Sequence, residues 1–133
     1  MTQFSVTQNG TPLDPRLYSW DGDTKTFSTN QDNLVIDFSS FDGVTFKTGH
    51  YCTFNTGPNC TFKTGHSCTF DTGYNCIFMT CSKCTFKTGD NCVLIRYDVK
   101  GITEIPPNTE IKLNKFEVLK NQYIWVSYKN LSF

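Results

Sequence analysis

Chemically reactive side chains are scarce in this sequence. Histidine occurs twice, at His50 and His66, and arginine occurs twice, at Arg16 and Arg96. An active site needs converging acids, bases or nucleophiles, so this supply argues against an enzyme. A basic excess is also missing, because 12 Lys and Arg residues balance 12 Asp and Glu residues. Proteins that bind nucleic acid or an anionic membrane surface need such an excess, and we expect neither partner.

Long apolar runs are missing as well. The apolar runs, such as the three residues of Leu34–Ile36 or of Ile124–Val126, stop at about four residues at most, whereas a membrane-spanning helix needs about 20. We therefore expect no membrane insertion. The segment Met1–Gly10 is polar, with neither a basic nor an apolar signal region, so we expect no conventional secretory signal. The length of 133 residues is enough for one domain.

An eight-residue repeat dominates the middle of the chain. Its consensus is Cys-Thr-Phe-x-Thr-Gly-x-x, and six complete octads run from Val44 to Asn91. An earlier octad, Ile36–Gly43, keeps apolar residues at positions one and three. Phenylalanine fills position three in every octad from Phe38 to Phe86. The cysteines that occupy position one are Cys52, Cys60, Cys68, Cys76, Cys84 and Cys92.

The octad fits a short strand followed by a turn. Two turns of an α-helix hold about 7.2 residues, so an apolar stripe of period eight would drift around a helix. In a strand, Cys and Phe at positions one and three share the buried face, while positions two and four face solvent. The second Thr of each octad has inward parity or lies at the corner. Thr-Gly-x-x supplies the turn, in which glycine can take a positive φ. The repeat therefore predicts an all-β, parallel β-solenoid.

The side chains also indicate how many octads complete one coil. If two octads do, residues sixteen apart stack about 4.8 Å from each other along the axis. Position eight then aligns Asn59, Asn75 and Asn91 in one column, and position four brings Asp71 beside Lys87 as an attractive pair. A triangular coil of three octads would scatter the asparagines among Tyr, Lys and Ser. We therefore expect two octads, or sixteen residues, in each coil.

The segments that flank the octads are expected to cap the solenoid, because its sheet edges would otherwise invite polymerisation. We expect an N-terminal cap over residues 1–35, which carries Tyr18 and Trp20 among turn signals. The octapeptide-repeat solenoid then covers residues 36–99. Strand-like runs broken by turns predict a C-terminal β cap over residues 100–133.

Four segments of the chain resemble octapeptide-repeat β-solenoid proteins of large DNA viruses and phages. They are YSWDGDTKTFST, NLVIDF, the CTFKTG octads and GDNCVLIRYDVKGITEIPPNTEIKLN, and the resemblance covers Leu13 to Asn114. It implies a non-enzymatic virion component, such as a minor capsid or appendage protein, located in the virion after assembly in the host cytoplasm. The implied partners are other virion structural proteins or further copies of this chain in a homo-oligomer. The resemblance implies no catalytic, cofactor-binding or metal-binding residue.

The cysteines are open to three interpretations. Inward positions favour buried thiols, because Val44 and Ile36 fill the equivalent place in earlier octads and free cysteine behaves as a small hydrophobe. Disulfides and metal binding are the alternatives, although only Cys81-x-x-Cys84 has metal-ligand spacing. Cys81 replaces the turn glycine, so we expect it to be exposed and to be the best candidate for a reactive or intermolecular thiol.

The remaining polar candidates fall short of a binding site. His50 and His66 are expected to stack on one turn edge, where a metal ion would lack a third ligand. Calcium binding needs repeated carboxylates at the turns, and only Asp42 and Asp90 qualify. We therefore predict no metal ion and no cofactor.

Two other functions are compatible with a threonine-rich solenoid. An ice-binding protein presents a regular Thr array, and Thr53, Thr69 and Thr85 are expected to form one outward column. The neighbouring outward column consists of Asn55, Asp71 and Lys87. A flat ice-binding face needs small uncharged groups in that column, so ice binding is the less favoured alternative. A module that binds a host surface is the other alternative.

Overall fold

The protein is built from β-strands. A computed structural model describes residues 4–81, 83–96, 103–105, 107–108, 111–119 and 122–127. Within these ranges the chain forms fifteen strands and one 3₁₀ turn, Pro15–Leu17, and no α-helix. The strands are β1 (Ser5–Gln8), β2 (Thr11–Pro12), β3 (Ser19–Asp21), β4 (Thr26–Ser28), β5 (Leu34–Phe38), β6 (Thr45–Lys47), β7 (Thr53–Thr56), β8 (Thr61–Lys63), β9 (Thr69–Asp71), β10 (Ile77–Thr80), β11 (Thr85–Lys87), β12 (Cys92–Arg96), β13 (Thr103–Ile105), β14 (Ile111–Leu119) and β15 (Gln122–Ser127).

Two sheets wind into one solenoid. Sheet A has the order β15-β14-β11-β9-β7-β5-β1-β2, and sheet B has the order β13-β12-β10-β8-β6-β4-β3. Successive octads alternate between the sheets, and Thr53 pairs in parallel with Thr69, which pairs with Thr85. Residues sixteen apart are therefore neighbours, which confirms the predicted coil of two octads. The Asn59 N–H donates to the carbonyl of Tyr74 at 2.8 Å, so the asparagine column also forms as predicted.

Phenylalanine fills the space between the sheets. Phe54 and Phe70 stack in sheet A with ring centroids 5.0 Å apart, and Phe62 meets each of them edge-on from sheet B, at 5.2 and 5.1 Å. The buried position-three rings, all at most 1% exposed, are Phe46, Phe54, Phe62, Phe70, Phe78 and Phe86. Burial of each ring contributes about 1.5–3 kcal/mol, so these columns are the main source of stability.

The first coil departs from the predicted register. Ile36 pairs with Phe54, so it occupies a position-three site and not the cysteine site that we expected. Leu34 lies where later octads have cysteine, and the unit from Leu34 to Gly43 has ten residues. The extra length gives Phe41 room to reach Trp20, with ring centroids 5.6 Å apart. Parallel pairing also starts before residue 36, because β4 pairs in parallel with β6.

The predicted positive φ at the repeat glycines is wrong. The left-handed conformation occurs at position eight, where φ lies between 58° and 62°. The residues at this position are Tyr51, Asn59, Ser67, Asn75, Lys83 and Asn91. Asparagine tolerates this region better than most residues, because its short polar side chain can hydrogen-bond locally, which explains why three of the six are Asn.

Close approach between coils explains the glycine at position six. A Cβ on Gly57 would collide with the carbonyl of Phe41, and one on Gly73 would lie 2.8 Å from the backbone nitrogen of Pro58. The Gly73 N–H donates to the carbonyl of Gly57 at 3.3 Å, so the backbones of adjacent coils touch at this position. Glycine is needed here because the preceding coil leaves no room for a side chain.

Antiparallel strands end both sheets at both ends of the solenoid, as the predicted caps require. At the N-terminal end, β1 pairs with β5 and β3 pairs with β4. At the C-terminal end, β13 pairs with β12 and β14 pairs with β11. Aromatic rings close the N-terminal end of the core, where Phe4 stacks on Phe38 at 4.3 Å and Trp20 packs against Phe38 at 5.2 Å.

Candidate functional site

Cysteines line both corners of the coil interior in two ladders. One ladder is Cys52, Cys68 and Cys84, and the other is Cys60, Cys76 and Cys92, and each of these residues is at most 1% exposed. All seven cysteines of the chain are thiols, so the structure confirms the preferred interpretation of the ladders. Their S–H groups donate to nearby carbonyls, as from Cys60 to Pro58 at 3.4 Å and from Cys76 to Gly73 at 3.6 Å.

Contacts along the ladders alter the acidity of the thiols. A hydrogen bond with Cys68, together with burial, raises the pKa of Cys52. A hydrogen bond with Cys76 lowers the pKa of Cys60 to about 7, and the same contact raises that of Cys76. Reactivity needs access as well as a thiolate, and Cys60 is only 1% exposed. The ladders are therefore structural and closed to reagents in the folded protein.

The second Thr of each octad faces the interior, as its parity predicted. In the last five of the six complete octads, these hydroxyls lie beside the cysteine corners, and each donates to the carbonyl of the following residue at 3.1–3.4 Å. The residues concerned are Thr56, Thr64, Thr72, Thr80 and Thr88, all 9% exposed or less. A local carbonyl acceptor offsets the cost of burying a hydroxyl among apolar rings. In the first complete octad, the hydroxyl of Thr48 is buried and has no hydrogen-bond partner among the described residues.

Cys81 is the most accessible cysteine. It stands at the glycine position of its octad and is half-buried, whereas the six ladder thiols are enclosed. Its N–H donates to the carbonyl of Gly65 at 3.5 Å, while Gly65 donates to Gly49 at 3.1 Å. The coil contact is longer where a side chain replaces glycine. The structure thus places Cys81 at the surface turn that the sequence predicted, with intermediate rather than full exposure.

His50 and His66 stack on one turn edge, as predicted. Their ring centroids are 4.1 Å apart, and the His66 N–H donates to Nδ1 of His50 at 3.0 Å. The carboxylate of Asp32 accepts the His50 N–H at 2.8 Å in the coil before. Nδ1 of His50 is therefore engaged in coil stacking and is not open to a ligand. In the described part of the chain, no three metal-ligating side chains converge.

The outer face of sheet A carries the threonine column. Thr53 and Thr69 are exposed, but Thr85 is 7% exposed where β14 pairs with its strand. The adjacent column, also exposed, consists of Asn55, Asp71 and Lys87. The exposed threonine array thus spans two coils and lies beside charged groups.

The side chains on the outer face of sheet B are polar in the early coils and apolar in the later ones. Thr45 and Thr61 occupy position two in the early coils, and Ile77 pairs with Val93 in the later ones. Met79 pairs with Ile95 in the next column, and Ile77 is 39% exposed. This patch was not predicted, although the octad CIFMTCSK carries its signal: Ile77 and Met79 replace the polar residues usual at positions two and four.

An open depression of about 450 Å³ lies beside the last coils. Asp90 and Glu104 bring two carboxylates to its wall, which Asn91 also lines. The described residues around it include no histidine and no basic side chain, so its chemistry is that of a solvated acidic corner.

The sequence also makes the aromatic residues of the C-terminal segment candidates for anchoring a partner, because such rings dominate interface energies, with packing of the cap as the alternative interpretation. Tyr123 and Trp125 lie in β15, and their side chains fall outside what the structure describes. Tyr128 and Phe133 lie wholly outside the described residues. Their proposed anchoring role stays a prediction.

Comparison with known proteins identifies no relative. No family model, no curated protein and no solved structure matches this chain. In the described residues, no helix has the length and apolar character needed to cross a membrane.

Proposed function

We propose that this protein is a non-enzymatic structural component of a virus particle, a minor capsid or appendage protein that serves as a rigid module for assembly. Its partners are other virion structural proteins or further copies of itself. The resemblance of the flanking segments and octads to viral octapeptide-repeat proteins supports the viral part of the proposal. The stacked phenylalanine rings of the core support the proposal that the protein has a structural role.

The continuous stack of phenylalanine rings carries the structural proposal. Parallel rings in the octads lie 4.8–5.2 Å apart along each column, and rings of opposite columns meet edge-on at 4.9–5.5 Å. Because the columns interdigitate along the octads, bending one coil against the next would separate many contacts at once. The phenylalanine residues at position three of the octads thus make the solenoid stiff.

Two observations keep the alternative functions testable. Exposed Thr53 and Thr69 in register on a parallel sheet favour ice binding, although charged Asp71 beside them interrupts a uniform face. Tyr51 and Tyr74, 54% and 52% exposed on opposite turn edges, favour a module that binds a host surface, since tyrosine is enriched at recognition sites.

Mass spectrometry of purified virus particles from the source of this sequence tests the proposal. We expect the chain to co-purify with particles in a constant ratio to the main capsid protein through a density gradient. Nuclease and detergent washing controls for adsorbed protein. A chain that is abundant in infected cells but absent from washed particles would contradict the proposed role.

An ice-growth assay distinguishes the proposed structural role from ice binding, the main alternative. The wild-type protein is expected to leave ice crystals unshaped, as is Thr69→Tyr, which blocks the exposed threonine column. Arrest of ice growth by the wild type at micromolar concentration, lost in Thr69→Tyr, would assign the protein to ice binding instead.

A further inference from the structure

The two sheets end in four edge strands, and three of them are protected. Among the described residues, β2 and β15 end sheet A, while β3 and β13 end sheet B. Strand β2 has two residues and includes Pro12, β3 has three and ends in Asp21, and β13 has three with Glu104 at its centre. Shortness, proline and charge are the usual means by which proteins keep sheet edges from pairing with another chain.

Strand β15 has none of these protections. It contains six residues, QYIWVS, with no charge, no proline and no glycine, and its single neighbour among the described strands is β14. The β14–β15 ribbon also extends past the solenoid, because only Ile111 and Lys112 pair with β11 while pairing within the ribbon continues to Leu119 and Gln122. Two-stranded ribbons are marginal in water, so a further strand along β15 would stabilise this one.

We propose that β15 pairs antiparallel with β15 of a second copy of this chain, joining two eight-stranded sheets across a twofold axis. A register centred on Ile124 sets the two Ile124 residues opposite each other and Tyr123 of each copy opposite Trp125 of the other, a favourable pairing of β-branched residues flanked by aromatic pairs. The uncharged strand meets itself without repulsion between like charges. The number of open edges favours a dimer over an unlimited fibre: among the strands that the structure describes, β15 is the one unprotected edge, so pairing closes at two chains.

This inference makes the self-association in the proposed function specific. Its test is nevertheless separate, because solution mass decides the dimer and particle composition decides the virion role. A dimeric protein absent from particles would leave the pairing standing and remove the viral assignment. A monomeric protein found in particles would support the virion role and reject the β15 pairing.

Sedimentation velocity of the full chain over a concentration series tests the pairing. We expect a reversible species of twice the 15.2 kDa chain mass. Ile124→Lys places two lysines close together across the paired edge, so its dissociation constant should rise by about tenfold or more. The matched control is Thr69→Lys, which adds the same charge on the exposed outer face of sheet A and should leave the dimer unchanged.

Three results would overturn the pairing. They are a wild type that stays monomeric throughout, a folded Ile124→Lys protein that dimerises as the wild type does, and assembly that grows beyond two chains. If Ile124→Lys does not fold, hydrogen exchange of the wild type decides. Amides of β15 should then exchange more slowly as concentration rises, and rates independent of concentration would reject the dimer.

Discussion

Each octad position has one physical task, and the side chain found there follows from it. Position three fills the space between the sheets, so it holds Phe54, Phe62 and Phe70, each enclosed by rings on its own column and on the opposite one. Position one needs a small apolar group at the corner, and Val44 occupies it in the first regular octad while cysteine follows later. The alternation of these residues predicted the core. Side chains alternate between the two faces of a strand, so the buried positions can be identified without knowing how many octads form a coil.

Phe70→Ala is expected to lower the free energy of unfolding by about 3–5 kcal/mol, because the cavity would open in the middle of both columns. Phe70 is 1% exposed and touches four other rings. Denaturant unfolding measures the loss. Tyr74→Ala, at a side chain that is 52% exposed, is the control and should change stability by about 0.5 kcal/mol or less. Equal effects of the two substitutions would contradict the assignment of the core.

Cys52→Val should reveal the raised pKa of the Cys52 thiol. The hydrogen bond with Cys68 and burial keep this thiol protonated in the folded protein, whereas in the unfolded chain it ionises at about pH 8.5. The stability due to Cys52 is therefore complete below about pH 8.5 and decreases as pH rises above it.

Valine cannot ionise, and it already fills this position at Val44. We expect Cys52→Val to differ little from the wild type at pH 7, by less than about 1.5 kcal/mol. Above about pH 9 the variant should gain about 1.4 kcal/mol on the wild type for each pH unit. Unfolding by denaturant at a series of pH values measures this difference, and parallel curves for the two proteins would contradict the shift.

At the scale of the element, the repeat predicted the strands better than the turns. Strand positions depend on period two, which is visible within one octad. The turn depends on which coil lies next to it, and that neighbour is sixteen residues away. Glycine at position six suggested a positive φ, whereas its actual cause is the carbonyl of Phe41 beside Gly57 and the backbone of Pro58 beside Gly73. The left-handed residue is at position eight, where Asn59 and Asn75 were noted only as a ladder.

Gly57→Ala tests the crowding at position six. The added methyl group meets the Phe41 carbonyl, part of a backbone held in the preceding coil, so we expect a loss of about 1–3 kcal/mol in unfolding free energy. Gly22→Ala is the matched control, because the nearest atom to its Cβ is Nε1 of Trp20 at 3.8 Å, an ordinary contact. Thermal unfolding of both variants gives the comparison. Similar melting temperatures for the two would show that the coils can separate without cost.

At the scale of the whole molecule, the octads predicted the parallel solenoid and its sixteen residues per coil, but not the details of its ends. The ten-residue first unit has apolar residues at Ile36 and Phe38, which match the octad by chance when read in the wrong register. What decides the register is the long-range pairing of Val35 with Thr53 and the fit of Phe41 into the N-terminal aromatic cluster. Local pattern carries no signal for either contact, so the sequence alone could not settle them.

The stability of the solenoid should vary along its axis, and the ladder cysteines are natural reporters of it. Each coil touches only its neighbours, so opening is expected to start at an end and to cost most in the centre. The aromatic cluster that includes Phe4 and Trp20 closes the N-terminal end. Cys92 lies in the last parallel strand, whereas Cys68 has parallel strands on both sides.

Pulse labelling with a thiol reagent at rising denaturant, read by mass spectrometry of peptides, measures this order. Cys81 should react within the first pulse in the native protein, because it is the half-buried thiol at a surface turn. Cys92 should follow at lower denaturant than Cys68, since the end coil opens before the central one. Cys81→Ser is the control and should remove the fast phase alone. Labelling of Cys92 and Cys68 at the same denaturant concentration would show that the solenoid unfolds as one cooperative unit, and fast labelling of Cys68 in the native protein would contradict its burial.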